Sequence, residues 1–251
     1  MREPGMENKP VTKKLMLSDG IGFVELIESF GSDLTIVNAA RVSFHKESAF
    51  EFIEGTDQAG IKELSPQLSE RDTQLVDYLA KHRHIAPFFH PQLRFRIKMP
   101  IFIAREWYRH AVGFCRNEVS RRYVTTEPEC FVPTLLRQRD VSVKQGSSTQ
   151  LVEGSAEISA EIRLFMERAV LFYNQLLEQG VCPEQARVVL PQSMYTEFIE
   201  TASLAGYARL AGLRLASNAQ REIGNYAELV SQLIEPRFPV AWKALMVYKT
   251  A

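Results

Sequence analysis

The sequence predicts an α+β fold: a small mixed sheet with several long helices. Three observations lead there. Residues 91–100, "PQLRFRIKMP", alternate strictly between apolar and basic or polar side chains, the period of a half-buried strand. Residues 69–84, "SERDTQLVDYLAKHRH", carry apolar residues at helical spacing behind a serine. From about residue 158 to 249 the chain keeps a nearly unbroken helical pattern. Strands early and helices late are the signature of segregated layers around one core. With 251 residues the chain can fill such a core as one large domain.

Taken in order, residues 1–15 are polar and read as a loose tail, with the domain beginning near residue 21 and running to 251. "GFVELIESFGSDLTIVNAARVSF" (22–44) opens with a β-prone segment, turns at "GSD" and continues with helical spacing. Residues 46–70 are polar, with "EGTDQAG" and "SPQLSE" marking a surface loop. In the next segment Ser69 can accept the orphan amides of a helix whose buried stripe is Leu75, Val76 and Leu79. The strand at 91–100 points Leu93, Phe95, Ile97 and Met99 one way and Arg94, Arg96 and Lys98 the other. Pro100 then opens a helix, "PIFIAREWYRH". Residues 137–157 are polar and rich in Gly and Ser, and are expected to be a mobile loop. The late helical region is interrupted at "QGVCPEQ" and "EPRFP".

Composition narrows the function. Thirty basic and thirty acidic residues give a net charge of +0, which argues against nucleic-acid binding through a global positive field. The basic strand face of Arg94, Arg96 and Lys98 lacks the interleaved aromatics of a single-strand binder. Local clustering of positive charge is still allowed. Three cysteines without a CxxC pair form neither a disulfide framework nor a zinc site, so a reducing cytoplasm is expected. There is no apolar signal core and no run near ~18 apolar residues.

The chemistry concentrates in "EWYRHAVGFCRNEVSRRYV" (106–124). Arg109 and His110 fall at a helix end just before Gly113, and Ser120, Arg121 and Arg122 place a hydroxyl and two guanidiniums within three residues. The planar guanidinium fork matches phosphate. Glu118 can accept from sugar hydroxyls or a uracil-like N–H. A solvated ion-pair network would produce the same composition, so the residues alone leave both readings open. His82, His84 and His90 lack a completing carboxylate pattern, and no metal site is expected. Neither a GxGxxG nor a Walker A loop is present, so any dinucleotide binds without the Rossmann device.

Five ordered segments, "GFVELIESFGSDLTIVNAARVSF", "YLAKHRHIAPFFH", "PIFIAREWYRH", "NEVSRRY" and "ARVVLPQSMYTEF", resemble the flavin-dependent thymidylate synthases. The resemblance implies a homotetramer with sites at subunit interfaces and FAD in an extended groove. It implies methylenetetrahydrofolate as carbon donor and NADPH as reductant, with no cysteine attacking the ring. By position it assigns Glu106, Trp107, Tyr108, Arg109, Glu118, Val119, Ser120, Arg121, Arg122 and Arg187 to the nucleotide, Ser120 and Arg122 nearest the phosphate. Arg214 is assigned to the base as the catalytic cation, because charge developing on the ring needs a fixed positive partner. The flavin falls to Ser43, His84, Arg109, His110, Arg116, Glu118, Ser203, Arg209 and Asn218.

The sequence departs from the family pattern in specific places. Ala111 stands where the Arg-His-Arg motif has its second arginine, and Arg116 is the guanidinium expected to swing into the vacancy. Ser203 and Ala205 replace an asparagine and an arginine, Arg209 an asparagine, Asn218 a histidine, and Glu106 a glutamine. These changes resemble the branch that methylates UMP as well as dUMP in polyoxin-type nucleoside-antibiotic pathways. Glu106 and Glu118 are the candidate partners for a 2′-hydroxyl. The alternatives are an ordinary dUMP-to-dTMP synthase or a binding paralogue without turnover.

Overall fold

The computed structural model describes residues 13–56, 62–124, 126–140 and 147–248. At its centre lies a five-stranded sheet, ordered β1 (Lys13–Met16), β2 (Phe23–Phe30), β5 (Gln92–Pro100), β9 (Tyr195–Ser203) and β6 (Phe114–Glu118). Each neighbouring pair is antiparallel. Two hairpins stand apart from it, β3 (Glu51–Thr56) with β4 (Lys62–Gln67), and β7 (Arg137–Arg139) with β8 (Ser147–Leu151). The helices are α1 (Asp33–Arg41), α2 (Glu70–Lys81), α3 (Ile101–Trp107), α4 (Ser155–Glu178), α5 (Pro183–Ala186), α6 (Leu204–Arg214), α7 (Arg221–Ile234) and α8 (Pro239–Tyr248).

The alternation in β5 decides which face of the sheet is buried. Leu93, Phe95, Ile97 and Met99 join Val24, Leu26, Phe198 and Ala202 in one core with the apolar stripes of α1, α2, α6, α7 and α8. Ser69 caps α2 by accepting from the Asp72 amide at 3.1 Å, and Val76 and Leu79 are buried beneath it. Asp33 accepts from the amides of Val240 and Ala241 at 2.9 and 3.1 Å, so one buried carboxylate caps the start of α8 and ties it to α1.

On the open face each basic side chain of β5 meets a carboxylate. Arg94 pairs with Glu28 at 2.7 Å, Arg96 with Glu197, and Lys98 with Glu129. The open face of the strand is therefore charge-paired. No helix among the described residues is long and apolar enough to cross a membrane.

Four sequence expectations are corrected. Residues 1–12 lie outside the described part; Lys13–Met16 forms an edge strand against β2, so ordered structure begins before the expected residue 21. The polar stretches 46–70 and 137–157 contain hairpins, and the second also contains the first turn of α4. Side chains on the first hairpin are exposed wherever described from Glu51 to Glu54 and Leu64 to Gln67, so no core requirement imposes a pattern there. The late region is not all helix: "YTEFIETAS" is β9, which pairs with both β5 and β6. Its inward face carries Thr196 and Glu200, and these polar residues conceal the period.

Candidate active site

The site is built where β5 ends. Pro100, with extended backbone, precedes α3 as its cap instead of occupying its first turn. The amides of Ile101 and Phe102 donate to the carbonyls of Met194 and Gln192, each at 2.9 Å. The segment ahead of β9 thereby satisfies two of the orphan donors at the helix start. Ile103, Ala104 and Trp107 face the core, which turns Arg105 and Arg109 to solvent and leaves Glu106 and Tyr108 half-buried. The chain then reverses through Gly113, whose φ of +78° suits a residue without Cβ, and enters β6.

Trp107 is a correction. Its indole is fully buried, and its N–H donates to Glu200 at 3.1 and 3.2 Å from the two carboxylate oxygens. In this chain the indole braces the sheet. Arg116 is a second correction. Its guanidinium turns inward to Glu200, with Nε–Oε2 at 2.6 Å, and lies over the rings of Phe114 and Tyr108 at 4.6 and 5.3 Å. The position beside exposed Ala111 gains no cation from it. Glu200 itself went unnoticed in the sequence, although a lone carboxylate on the inward period of a strand signals a buried ion pair. Burial pushes its carboxyl upward, and Arg116, Trp107 and Tyr207 oppose that shift. Burial, followed by the nearby Glu118 carboxylate, also pushes the Tyr108 phenol up.

Beyond β6 the ladder continues, with the Val119 amide donating to the Glu197 carbonyl at 2.8 Å. A turn closes on Ser120, whose carbonyl accepts from the Tyr123 amide at 3.0 Å. Glu118, Val119, Ser120, Arg121 and Arg187 line one cleft of ≈ 850 Å³, with Lys98, Glu184 and Thr196. Arg122 stands at its rim, 3.6 Å from Glu184, and Arg187 Nε donates to the Glu184 carbonyl at 3.3 Å. Glu118 accepts from the Thr196 hydroxyl at 2.5 Å, which fixes one of its oxygens. The phosphate-side residues named from sequence thus converge, and Glu184 joins them.

Arg214 lies elsewhere. It ends α6 and lines a second cleft of ≈ 780 Å³ with Glu106, Asn218, Gln220, Arg137 and Glu222. Its Nη1 pairs with Glu106, and its Nε donates to His110 Nε2 at 2.9 Å. Opposite, Arg137 pairs with Glu222 at 2.8 Å, joining the second hairpin to α7. His110 is buried, and its pKa falls to about 4, through burial first and then the positive charges of Arg214, Arg116 and Arg209. At neutral pH it is therefore a neutral acceptor.

The residues assigned to the flavin divide. Ser43 and His84 are exposed, and near them lie the two non-glycine residues with left-handed backbone among the described residues, His45 (φ 51°) and Arg83 (φ 58°). Arg83 closes α2: its amide donates to Ala80 O at 3.1 Å and that of His84 to Leu79 O at 2.9 Å, the bonds of a Schellman cap where glycine is usual. Backbone strain of this kind collects at ligand sites. Arg109, Arg209 and Asn218 are exposed, and among the described residues neither arginine makes an ion pair. This hydroxyl, imidazole and guanidinium set fits a pyrophosphate-bearing dinucleotide without a glycine-rich loop. Ser203 is the exception. It is buried, and its Oγ accepts from the Gly206 amide at 3.1 Å as the cap of α6, so that oxygen serves the helix.

The profile described as "Thymidylate synthase complementing protein" matches residues 25–240. A flavin-dependent thymidylate synthase of Thermus thermophilus is 38% identical over 223 residues, which is 89% of this chain and 75% of the relative. That of Thermosipho africanus is 34% identical over 231 residues, 90% and 92% of the two chains. Among solved structures, the UMP/dUMP methylase PolB from Streptomyces cacaoi bound with 5-Br UMP superposes with a TM-score of 0.74 at 28% identity. That match covers 91% of this chain and 95% of the other. Its complex with 5-Br dUMP superposes with the same TM-score at 29% identity.

Proposed function

This chain belongs to the flavin-dependent thymidylate synthases, FAD-dependent methyltransferases acting on C5 of uracil, and from that premise we propose that its substrate is UMP, dUMP or both. Methylenetetrahydrofolate is the carbon donor in this reading and NADPH the reductant. The carrying observation is the convergence of Ser120, Arg121 and Arg187 on one cleft, with Arg122 at its rim. A hydroxyl and three guanidiniums suit a nucleotide monophosphate. Arg214 stabilises the electron-rich form of the ring whose C5 attacks the methylene carbon. FAD, once bound and reduced by NADPH, would supply the hydride. Ser43, His84, Arg109 and Arg209 hold it, while Ala111, Ser203 and Arg116 contribute no free cation to its grip.

The two clefts of one chain are complementary halves: one offers phosphate donors and the other a cation for the base. We place them together across subunits of a homotetramer. In support, α4 exposes Ile158, Phe165 and Phe172 at seven-residue spacing, flanked by Leu164 and Leu171. Such an apolar stripe along a 24-residue helix suits another protein surface. Glu161 and Arg168 interrupt it with opposite charges, which an antiparallel second copy would pair reciprocally.

The deciding experiment incubates the FAD-loaded protein with methylenetetrahydrofolate, NADPH and either UMP or dUMP. A 5-methyl product from at least one nucleotide is expected, and no product from either refutes the proposal. The capped Ser203 and inward Arg116 favour a second reading, a nucleotide-binding paralogue that does not retain flavin. A colourless preparation that takes up no added FAD would establish that reading, and a yellow, turning-over one would dismiss it.

A further inference from the structure

We propose that His110 and Glu106 are positioning residues that clamp the Arg214 guanidinium and present its one uncommitted nitrogen to the substrate. The inference rests on the assignment of Arg214 to the base made above. Arg214 stands at the last turn of α6, where a long side chain has wide rotamer freedom. Two residues of a different element remove that freedom. Glu106, in the last turn of α3, accepts from Nη1, and His110, three residues past the helix, accepts from Nε at 2.9 Å. The guanidinium thus bridges α3 and α6, and its plane is set by acceptors on two of its three nitrogens. Among the described residues Nη2 makes no hydrogen bond, and it belongs to the side chain that lines the second cleft.

The two acceptors differ in kind. His110 can receive the Nε proton only as a neutral imidazole protonated on Nδ1, since an imidazolium has no lone pair to offer. Its burial among three arginines keeps it neutral. It therefore orients Arg214 without cancelling its charge. Glu106 is a half-exposed carboxylate, so it anchors the far nitrogen while offsetting part of the positive field, and its second oxygen stays available. One contact supplies geometry alone, and the other supplies geometry and charge. In this arrangement His110 Nε2 is taken by Arg214, and the Nδ1–H donor remains.

The test compares acceptors with shapes. His110→Gln places an amide oxygen near the Nε2 position, whereas His110→Leu fills the space without an acceptor. Both are loaded with FAD and checked for fold by circular dichroism. The expected result is kcat within about fivefold of the parent for Gln and down about 10–100-fold for Leu, since small misplacements of a charge-stabilising group carry losses of that order. kcat and kcat/KM should fall together, the pattern of an interaction made in the transition state. Equal activity for Gln and Leu would overturn the proposal. Should either His110 variant fail to fold, the half-exposed partner carries the test: Glu106→Gln should lose less kcat than Glu106→Leu, with equal values overturning the clamp. Arg214→Ala separates the two levels. If it turns over normally, the assignment of Arg214 to the base has failed; if it is inactive while the acceptor pairs behave alike, only the clamp has failed.

Discussion

Replacing Arg116 by methionine isolates the energetics of the buried bridge behind the site. Glu200 is wholly inaccessible and receives Arg116 Nε at 2.6 Å and the Trp107 N–H at 3.1 Å. Methionine preserves the contact with Phe114 and Tyr108 but removes the cation, so a carboxylate is left buried without its counter-charge. Breaking one side of such a pair costs about 3–5 kcal/mol. For a chain of this length that corresponds to a fall in Tm of about 6–20 °C. Urea unfolding at fixed protein and FAD concentration measures it, because any bound ligand or partner shifts the midpoint. The pH dependence checks the cause. Glu200 already sits above its ordinary 4.5 in the folded state. Without Arg116 it rises further, so the folded protein holds a proton that the unfolded chain has released. Stability then falls as pH rises through the window above 4.5, and the deficit of the variant is smallest at the acid end. Adding Glu200→Gln should recover most of the loss, since the amide oxygen still accepts from Trp107. A single-variant loss below about 1 kcal/mol, or one that grows on acidification, would refute the reasoning, because that is the scale of an exposed pair.

Three further predictions follow from separate parts of the molecule. Arg122→Ala should raise KM for the nucleotide with little change in kcat, as expected when binding shared by ground and transition states is lost; an unchanged KM would move the phosphate elsewhere. Phe165→Glu, on the exposed stripe of α4, should reduce the mass of the assembly measured by light scattering and lower turnover in parallel; an unaltered mass would detach α4 from any interface. His110, surrounded by Arg214 and Arg209 of α6 and Arg116 of β6, has its pKa lowered from 6.5 to about 4, so the unfolded chain binds a proton between those values that the folded one refuses. Stability conferred by the neutral ring is lost as pH falls through that window, and denaturant titrations of His110→Leu should show a shallower acid decline than the parent; parallel curves would contradict the shift.

The parts of the fold legible in the sequence are those where one face is uniformly apolar. β5 alternates from Gln92 to Met99, and α2 combines a capping serine with a clean stripe, so both read directly. β9 has the same exposure alternation but carries Thr196 and Glu200 inward, and the partners that make those burials tolerable come from β6 and α3, far away in sequence. The hairpins at 51–67 and 137–151 are exposed over most of their described length, and only backbone pairing distinguishes them from loops. For the site, guanidiniums and hydroxyls cluster along the chain, so Ser120, Arg121 and Arg122 announce themselves. What the chain order hides is direction. Trp107 and Arg116 lie within the same motif yet point into the core, because α3 and β6 each have one side committed to packing. Ser203 resembles a ligand contact and is a helix cap. The division between the Arg187 and Arg214 clefts appears only once α5 and α6 take their places.

A crystal structure of the FAD-loaded assembly with UMP or dUMP tests the central claim most directly. The account predicts the phosphate against Ser120, Arg122 and Arg187 of one subunit, with the uracil ring within hydrogen-bond reach of an Arg214 guanidinium still held by His110 and Glu106. A nucleotide whose phosphate lies away from that cleft, or whose base meets no Arg214 from any subunit, would contradict it.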